Sequence, residues 1–417
     1  MAATLTVGPH RDVAELDAFC RILMNAFVMP EERVRRNIEI AGAQNVRVIR
    51  RGETVAGGLV ILPKGQWFGG RTVSMAGIAL VAVAPEHRAG GVGKTLMGRM
   101  LSEVYANGTA LSALWPATQV LYRRAGYECA GHLHEISLST HSIDVRDREL
   151  ELRPATEADT PAIEAAYVAW AAGANGSVAR SAVNWTRIRT WYDGRPTAPY
   201  VVARAERIEG YTYLITEPAA GHRHDLRAHD VVALTAAAAR RLLTFFSDHR
   251  SIHKTVRWTS GPIDPLLMQL NDPQFTLTTE TAWMLRIVNV ARALEERGYP
   301  PGLTGELHLD VTDELLPENA GRWVLRVADG RGRVERGGGG QHEGQAGTGR
   351  QTGGGGQTRD DGAAALKVSI RGLAPLYTGC MTPADLVRAD LAAGPAEAQR
   401  AAAAIFAGPH PIMRDRF

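Results

Sequence analysis

The sequence predicts a mixed α and β protein (α+β) built as three consecutive units, 1–145, 146–290 and 291–417. Three observations carry this. In the first third an apolar strand runs into a glycine-rich loop, which opens an amphipathic helix. The order strand, helix, hairpin, strand, helix then recurs in the middle third, as a pattern and not as repeated residues. The last third carries strands that alternate apolar and polar residues and ends in two helices.

In the first unit, residues 13–27 place Leu16, Phe19, Ile22, Leu23, Ala26 and Phe27 at helical spacing. Residues 46–51 and 54–62 read as two strands joined by a turn at Arg51, Gly52 and Glu53. Residues 77–83 are apolar almost throughout, as in a central strand covered on both faces. From Gly93 a helix follows, with Leu96, Met97, Met100, Leu101, Val104 and Tyr105 on one face. Asn107 and Gly108 supply a left-handed stop. A short strand over 110–114, a short helix over 117–124 and an extended run from Tyr127 complete the unit.

The second unit begins with a strand, a turn and a helix with Thr156 as N-cap. Paired strands over 200–216 follow, then a strand end and helix over 231–249. No glycine cluster precedes that helix, so this copy is expected to lack a cofactor site. In the third unit, 305–313 and 322–329 read as half-buried strands, 365–372 as their continuation, and 383–392 and 395–406 as helices. Between them, 337–362 contains 12 glycines and reads as a flexible hairpin loop.

Composition narrows the function. The hydrophobic share of 45% is ordinary for a globular protein, and a net charge of +3 is too small to argue for nucleic acid or a membrane surface. No stretch approaches the ~20 apolar residues of a membrane span, and the N-terminus lacks a signal-peptide core. The three cysteines, Cys20, Cys129 and Cys380, are far apart and lack metal-type spacing. They read as free thiols in a reducing cytoplasm.

The informative segment is the loop at 84–94. Glycines let the backbone approach a pyrophosphate, and the first-turn amides of the following helix bind its charge. Gly90 to Lys94 superficially resemble a nucleotide-binding P-loop. That motif needs a glycine five positions before the Gly-Lys pair, and Arg88 stands there. Arg88-Ala89-Gly90-Gly91-Val92-Gly93 instead resembles the acetyl-CoA motif of the GNAT acetyltransferases at every fixed place. The resemblance implies backbone contacts to the acetyl-pantetheine arm from Val81, Ala82 and Val83, and a pyrophosphate cradle from Arg88, Ala89, Gly90, Gly91, Val92, Gly93 and Lys94.

The segment Tyr122-Arg123-Arg124-Ala125-Gly126-Tyr127 resembles the aromatic segment that follows the strand beside the CoA thiol in that superfamily. A phenol is a suitable proton donor to a departing thiolate. The whole chain resembles the Eis-type acetyltransferases, which join an active GNAT domain, a degenerate one and a sterol carrier protein-like domain. That resemblance implies Tyr122 as proton donor and the terminal carboxylate of Phe417 as proton acceptor. It also implies an amine acceptor, aminoglycoside-like or lysine-like, and a homo-oligomer, a hexamer. Where family members carry small polar residues before the tyrosine, this chain has Trp115 to Val120, which leaves Ala117 and Thr118 to meet CoA through backbone. Glu31, Glu32 and Asp415 are the acidic candidates for recognising a cationic acceptor.

Other constellations carry less. His132 and His134 share a strand face without an evident third ligand, and residues 222–230 read as a polar loop, so no metal is expected. No G-x-S-x-G elbow occurs. The third unit reads as a domain that delivers the C-terminus, with lipid binding as the alternative. Two function classes stay open beside acetyl transfer: a P-loop-type ATPase, and a non-enzymatic CoA- or lipid-binding protein.

Overall fold

A computed structural model describes residues 4–88, 90–190, 194, 196–219, 224–337 and 365–417. From residue 338 on, the glycine-rich segment read as a hairpin loop lies outside these residues, and so does Ala89.

The first stretch supplies strands β1 (Leu5–Pro9), β2 (Val46–Arg51), β3 (Thr54–Phe68), β4 (Arg71–Val83), β5 (Leu111–Leu114) and β6 (Glu128–Ser139). Its helices are α1 (Val13–Phe27), α2 (Glu31–Ala41), α3 (Val92–Ala106) and α4 (Gln119–Arg124). The middle supplies β7 (Glu151–Pro154), β8 (Val178–Ala179), β9 (Ala198–Arg204), β10 (Arg207–Pro218), β11 (His224–Ala233), β12 (His253–Ser260) and β13 (Phe275–Ile287). It carries α5 (Thr160–Ala172), α6 (Ala182–Arg189) and α7 (Ala236–Asp248). The last third supplies α8 (Val290–Glu296), β14 (Gly305–Thr312), β15 (Gly321–Ala328), β16 (Arg331–Arg336), β17 (Leu366–Ser369), α9 (Ile370–Thr378), α10 (Pro383–Arg388), β18 (Ala392–Ala393) and α11 (Ala396–Ile405).

Local chemistry explains the boundaries. Asp12 caps α1 by accepting from the Glu15 amide at 2.9 Å. Ser369 likewise caps α9, so the expected strand over 365–372 stops at Ser369 and the chain turns helical. The long β3–β4 hairpin extends well past the expected strands, to a turn at Gly69 and Gly70, both at positive φ.

The first two units are not separate sheets. One 13-stranded sheet has the order β1-β2-β3-β4-β5-β13-β6-β12-β11-β10-β9-β7, with β8 paired to β3. β13, the last strand of the second unit, lies antiparallel between β5 and β6 of the first. β6 in turn pairs with β12. Each unit therefore completes its sheet with strands from the other. The third unit has a five-stranded sheet, β16-β15-β14-β17-β18. Its core continues into the shared sheet, where Phe68, Met75 and Leu111 of the first unit and Trp283 and Leu285 of the second pack in one cluster with Leu309, Leu373 and Tyr377.

One ion pair ties the shared strand to the third unit. Arg286, on β13, is wholly buried and meets Asp313 at 2.7 Å. Asp313 also accepts from the amides of Leu315 and Leu316 and from Asn319. Removing one partner of such a pair strands a buried charge, which costs about 3–5 kcal/mol. Arg286→Ala is expected to destabilise the protein by that amount in urea unfolding, whereas breaking an exposed pair such as Arg35–Glu31 should leave the unfolding midpoint nearly unchanged.

Candidate active site

β4 and β5 run parallel and pair from Met75–Leu111 to Ile78–Leu114. β5 then ends, and β4 continues alone to Val83. The two strands part there and open a notch at the centre of the sheet. On its other edge β4 slips register against β3 between Ala79 and Ala82. Leu80 takes a left-handed backbone there, φ +52°. Two β4 residues thus bulge opposite Leu59, and the bulge turns backbone groups of Leu80 and Val81 out of the ladder. Val81 and Val83 lean on the α3 side of the sheet and Ala82 on the α1 side.

Beyond β4 the chain makes a tight turn over Pro85–His87, and Arg88 Nε donates to the Val83 carbonyl at 3.3 Å. Gly91 is the N-cap of α3 at φ +75°, a conformation that only glycine adopts without strain. No side chain caps α3, and its first turn holds exposed Lys94. The helix buries Val92, Leu96, Met97, Met100, Leu101 and Val104, which fixes its N-terminus at the mouth of the notch. An uncapped helix start of this kind binds anions through free amides and the helix dipole. Arg51 is a member of this loop that sequence reading missed. A Cβ on Gly90 would come within 2.5 Å of its guanidinium, and its buried Nε has no partner.

The second copy differs at the equivalent place. Thr235 caps α7 by accepting from the Ala238 amide at 3.1 Å, and its hydroxyl donates to buried Glu209 at 2.8 Å. A protein carboxylate already stands where a phosphate would bind.

Tyr122, on α4, is 7% exposed and meets Tyr127 edge-on, with ring centroids 6.1 Å apart. Burial pushes its phenol up to about 12. Tyr127 is wholly buried and hydrogen-bonds Ser112 at 2.6 Å, so it is a core residue. Ala117 and Thr118 lie exposed in the loop between β5 and α4.

The C-terminal tail crosses from the third unit between the first two. Ile412 donates its amide to the Asn175 carbonyl at 2.8 Å. Asp415 pairs with Arg180 at 2.9 Å, and Arg180 pairs with Asp230 at 2.6 Å. The Arg180 guanidinium also stacks on Tyr167, 3.7 Å from its centroid. Burial opposes the charge on Arg180, but Asp230 and Asp415 outweigh it and hold the guanidinium charged. Arg187 donates to the Arg416 carbonyl at 3.1 Å, and Arg416 reaches Glu280 at 2.7 Å. The ring of Phe417 ends on β4, where a Cβ at Gly77 would come within 2.7 Å of it. Only glycine at 77 admits the ring. Lys64 Nζ lies 5.6 Å from that ring's centroid. Burial and the nearby charge of Arg187 bring the Lys64 ammonium down to about 8.

The expected acidic recognition residues fare differently. Asp415 is consumed by Arg180 and by Tyr167, whose hydroxyl donates to it at 3.2 Å. Glu31 is paired with Arg35 and exposed.

An uncapped helix beside a bulged strand, in a unit whose order of elements recurs in a second copy with a capped helix and is followed by a sheet-and-helix domain, fits an acetyltransferase of the GNAT class. Residues 12–130 and 176–287 each match the acetyltransferase (GNAT) domain family, and 290–414 match the sterol carrier protein domain family. A solved GCN5-related N-acetyltransferase from Anabaena variabilis is 35% identical, covers 99% of this chain with 100% of its own length, and superposes with a TM-score of 0.88. An N-acetyltransferase from Streptomyces avermitilis is 30% identical over 63% of this chain and 67% of its own. The N-acetyltransferase Eis of Mycobacterium tuberculosis is 28% identical over 62% of this chain and 65% of its own. The chain belongs to the Eis-type family of GCN5-related N-acetyltransferases, enzymes that use acetyl-CoA as co-substrate. The ATPase and non-enzymatic readings fall with this. A P-loop also needs glycine where Arg88 stands, and the turn over Pro85–His87 separates β4 from the glycines.

Gly91 has open space around it, so a side chain there is strained by backbone but meets no atom. Gly91→Asp is expected to abolish acetyl-CoA binding by calorimetry, and Gly91→Ala to weaken it less, the difference being the carboxylate facing phosphate. Lys94→Ala should cost less than Gly91→Asp. Unchanged affinity in a folded Gly91→Asp protein would remove the cofactor from this loop.

Proposed function

We propose that the enzyme acetylates a primary amine by direct attack on acetyl-CoA in a ternary complex, with the Phe417 carboxylate as proton acceptor and Tyr122 as proton donor. The observation that carries this is the buried clamp on the tail, which ends with the Phe417 ring on Gly77, in the strand that borders the notch. The amine nitrogen bonds to the thioester carbon and its proton passes to the carboxylate. The carbon–sulfur bond then breaks, and the sulfur takes its proton from the Tyr122 hydroxyl. With its phenol near 12, Tyr122 stays protonated across the working range. A free thiol titrates near ~8.5, so full transfer from this phenol runs uphill by roughly 5 kcal/mol. Tyr122 therefore acts first as a hydrogen-bond donor to the developing thiolate, and its proton follows late.

The cofactor contacts we assign are backbone groups of Val81, Ala82 and Val83, the cradle from Arg88 to Lys94, and Ala117 and Thr118 at the mouth. Arg51 joins them as a cation facing the pyrophosphate. The proposal includes a cytoplasmic homo-hexamer, which family resemblance alone supports.

The acceptor class follows from charge. Beside the terminal residue stand the cations Lys64 and Arg187, whereas Arg416 is paired with Glu280. Asp415 is neutralised. This favours a lysine-like amine, or one bearing an anionic group, over a polycationic aminoglycoside.

Two tests follow. Adding residues after Phe417 converts the carboxylate to an amide and is expected to inactivate the folded enzyme, whereas Phe417→Leu retains partial activity. Tyr122→Phe keeps the ring and should lower kcat by roughly 10²-fold. An extended enzyme that turns over at the native rate would eliminate the terminal carboxylate as base. Lys64 is cationic below pH 7 and loses its charge as pH rises through about 8. For an acceptor bearing a carboxylate, KM should therefore rise between pH 7 and 9, and Lys64→Met should flatten that rise. A KM that is flat with pH in the native enzyme, measured with such an acceptor, would count against Lys64 as its partner.

A further inference from the structure

The three cysteines look unrelated in sequence, yet the fold joins two of them. Cys129 and His132, both on β6, meet Cys380, in the turn after α9. One ligand atom from each lies within 4.8 Å of the others. Cys129 Sγ is 3.7 Å from His132 Nε2. A tetrahedral zinc ion, with Zn–S near ~2.3 Å and Zn–N near ~2.0 Å, holds its ligand atoms about 3.6–3.8 Å apart. The triad is thus within about an ångström of the spacing such an ion imposes. All three residues are partly exposed, which leaves an entry path.

The donor set selects the ion. Two thiols and an imidazole are soft and borderline ligands. They suit zinc and exclude magnesium and calcium, which need oxygen. The fourth position falls to water.

Position gives the site a purpose. Glu128, next to Cys129, already bridges to Arg371 of α9 at 2.5 Å. The tail crosses β6 between Cys129 and His132, since a Cβ on Gly131 would come within 2.9 Å of the Pro411 carbonyl. We propose that Cys129, His132 and Cys380 form a zinc site that staples the sterol carrier-like domain to the catalytic domain beside the tail bearing Phe417.

The test uses the full chain, reduced, stripped with a chelator and titrated with zinc alone against a chromophoric chelator. We expect one equivalent bound per chain and a higher Tm with zinc. Cobalt in its place should give thiolate-to-metal charge-transfer absorption. Cys380→Ser and His132→Ala should each lose both the binding and the Tm shift, while Cys20→Ala keeps them. Full-length protein that takes up no zinc at micromolar concentration overturns the site. So does zinc binding that survives Cys380→Ser, or a Cys129–Cys380 disulfide that forms in air in preference to metal uptake by the reduced pair.

Discussion

The pairing of β13 between β5 and β6 is the constraint on which the rest depends. Where β4 runs on past it, the short strand β5 is held on one edge by β4, from Met75–Leu111 to Ile78–Leu114. Its other edge is held by β13, through Met284–Leu114 to Ile287–Leu111. The strand that flanks β5 therefore belongs to the second GNAT copy, which finishes the sheet of the first. The same strand carries Arg286, and through Asp313 it anchors the third domain as well.

The tail is the second dependency, and it costs buried charge. Arg180, Asp230 and Asp415 have side chains no more than 5% exposed. Such a cluster is tolerated only when each member is paired, because a lone buried charge is expensive. Here Tyr211 donates to Asp230, Tyr167 donates to Asp415, and Arg180 lies between the two carboxylates. The arrangement is specific in a way an apolar tail would not be. An apolar segment can slide along a groove by one residue, whereas Asp415 in any other register leaves Arg180 short of a partner. That fixes where residue 417 ends.

Much of this was legible in the sequence, because local signals carried it. The strand-loop-helix of 77–106 and the glycines of the cradle are written in contiguous residues, and so are Tyr122 and the alternating strands of the third unit. The order of elements showed the duplication. What sequence reading missed is non-local or lies in the backbone. Nothing about Leu80 announces a left-handed residue, since leucine disfavours that conformation and only the register of β3 against β4 reveals it. Arg51 looks like a turn flank, and its place beside Gly90 follows from sheet order. Asp415 was read as free for substrate because its partner, Arg180, lies far away in sequence. Cys129 and Cys380 were read as unrelated thiols for the same reason.

The two copies also differ in how their helix starts are satisfied. α3 and α7 begin in the same way, at the end of a central strand, and both present first-turn amides. At α7 a threonine side chain accepts from the amide of the helix's third residue, Ala238, in its first turn, and a buried glutamate sits against that threonine. At α3 the cap is a left-handed glycine with no side chain to offer, and its neighbours are Gly90, Gly93 and the guanidinium of Arg51. An unsatisfied helix start beside a cation is unfavourable for the free protein and favourable only once an anion arrives. The first copy keeps that local instability and the second has relieved it, which is the physical ground for proposing the cofactor site in the first.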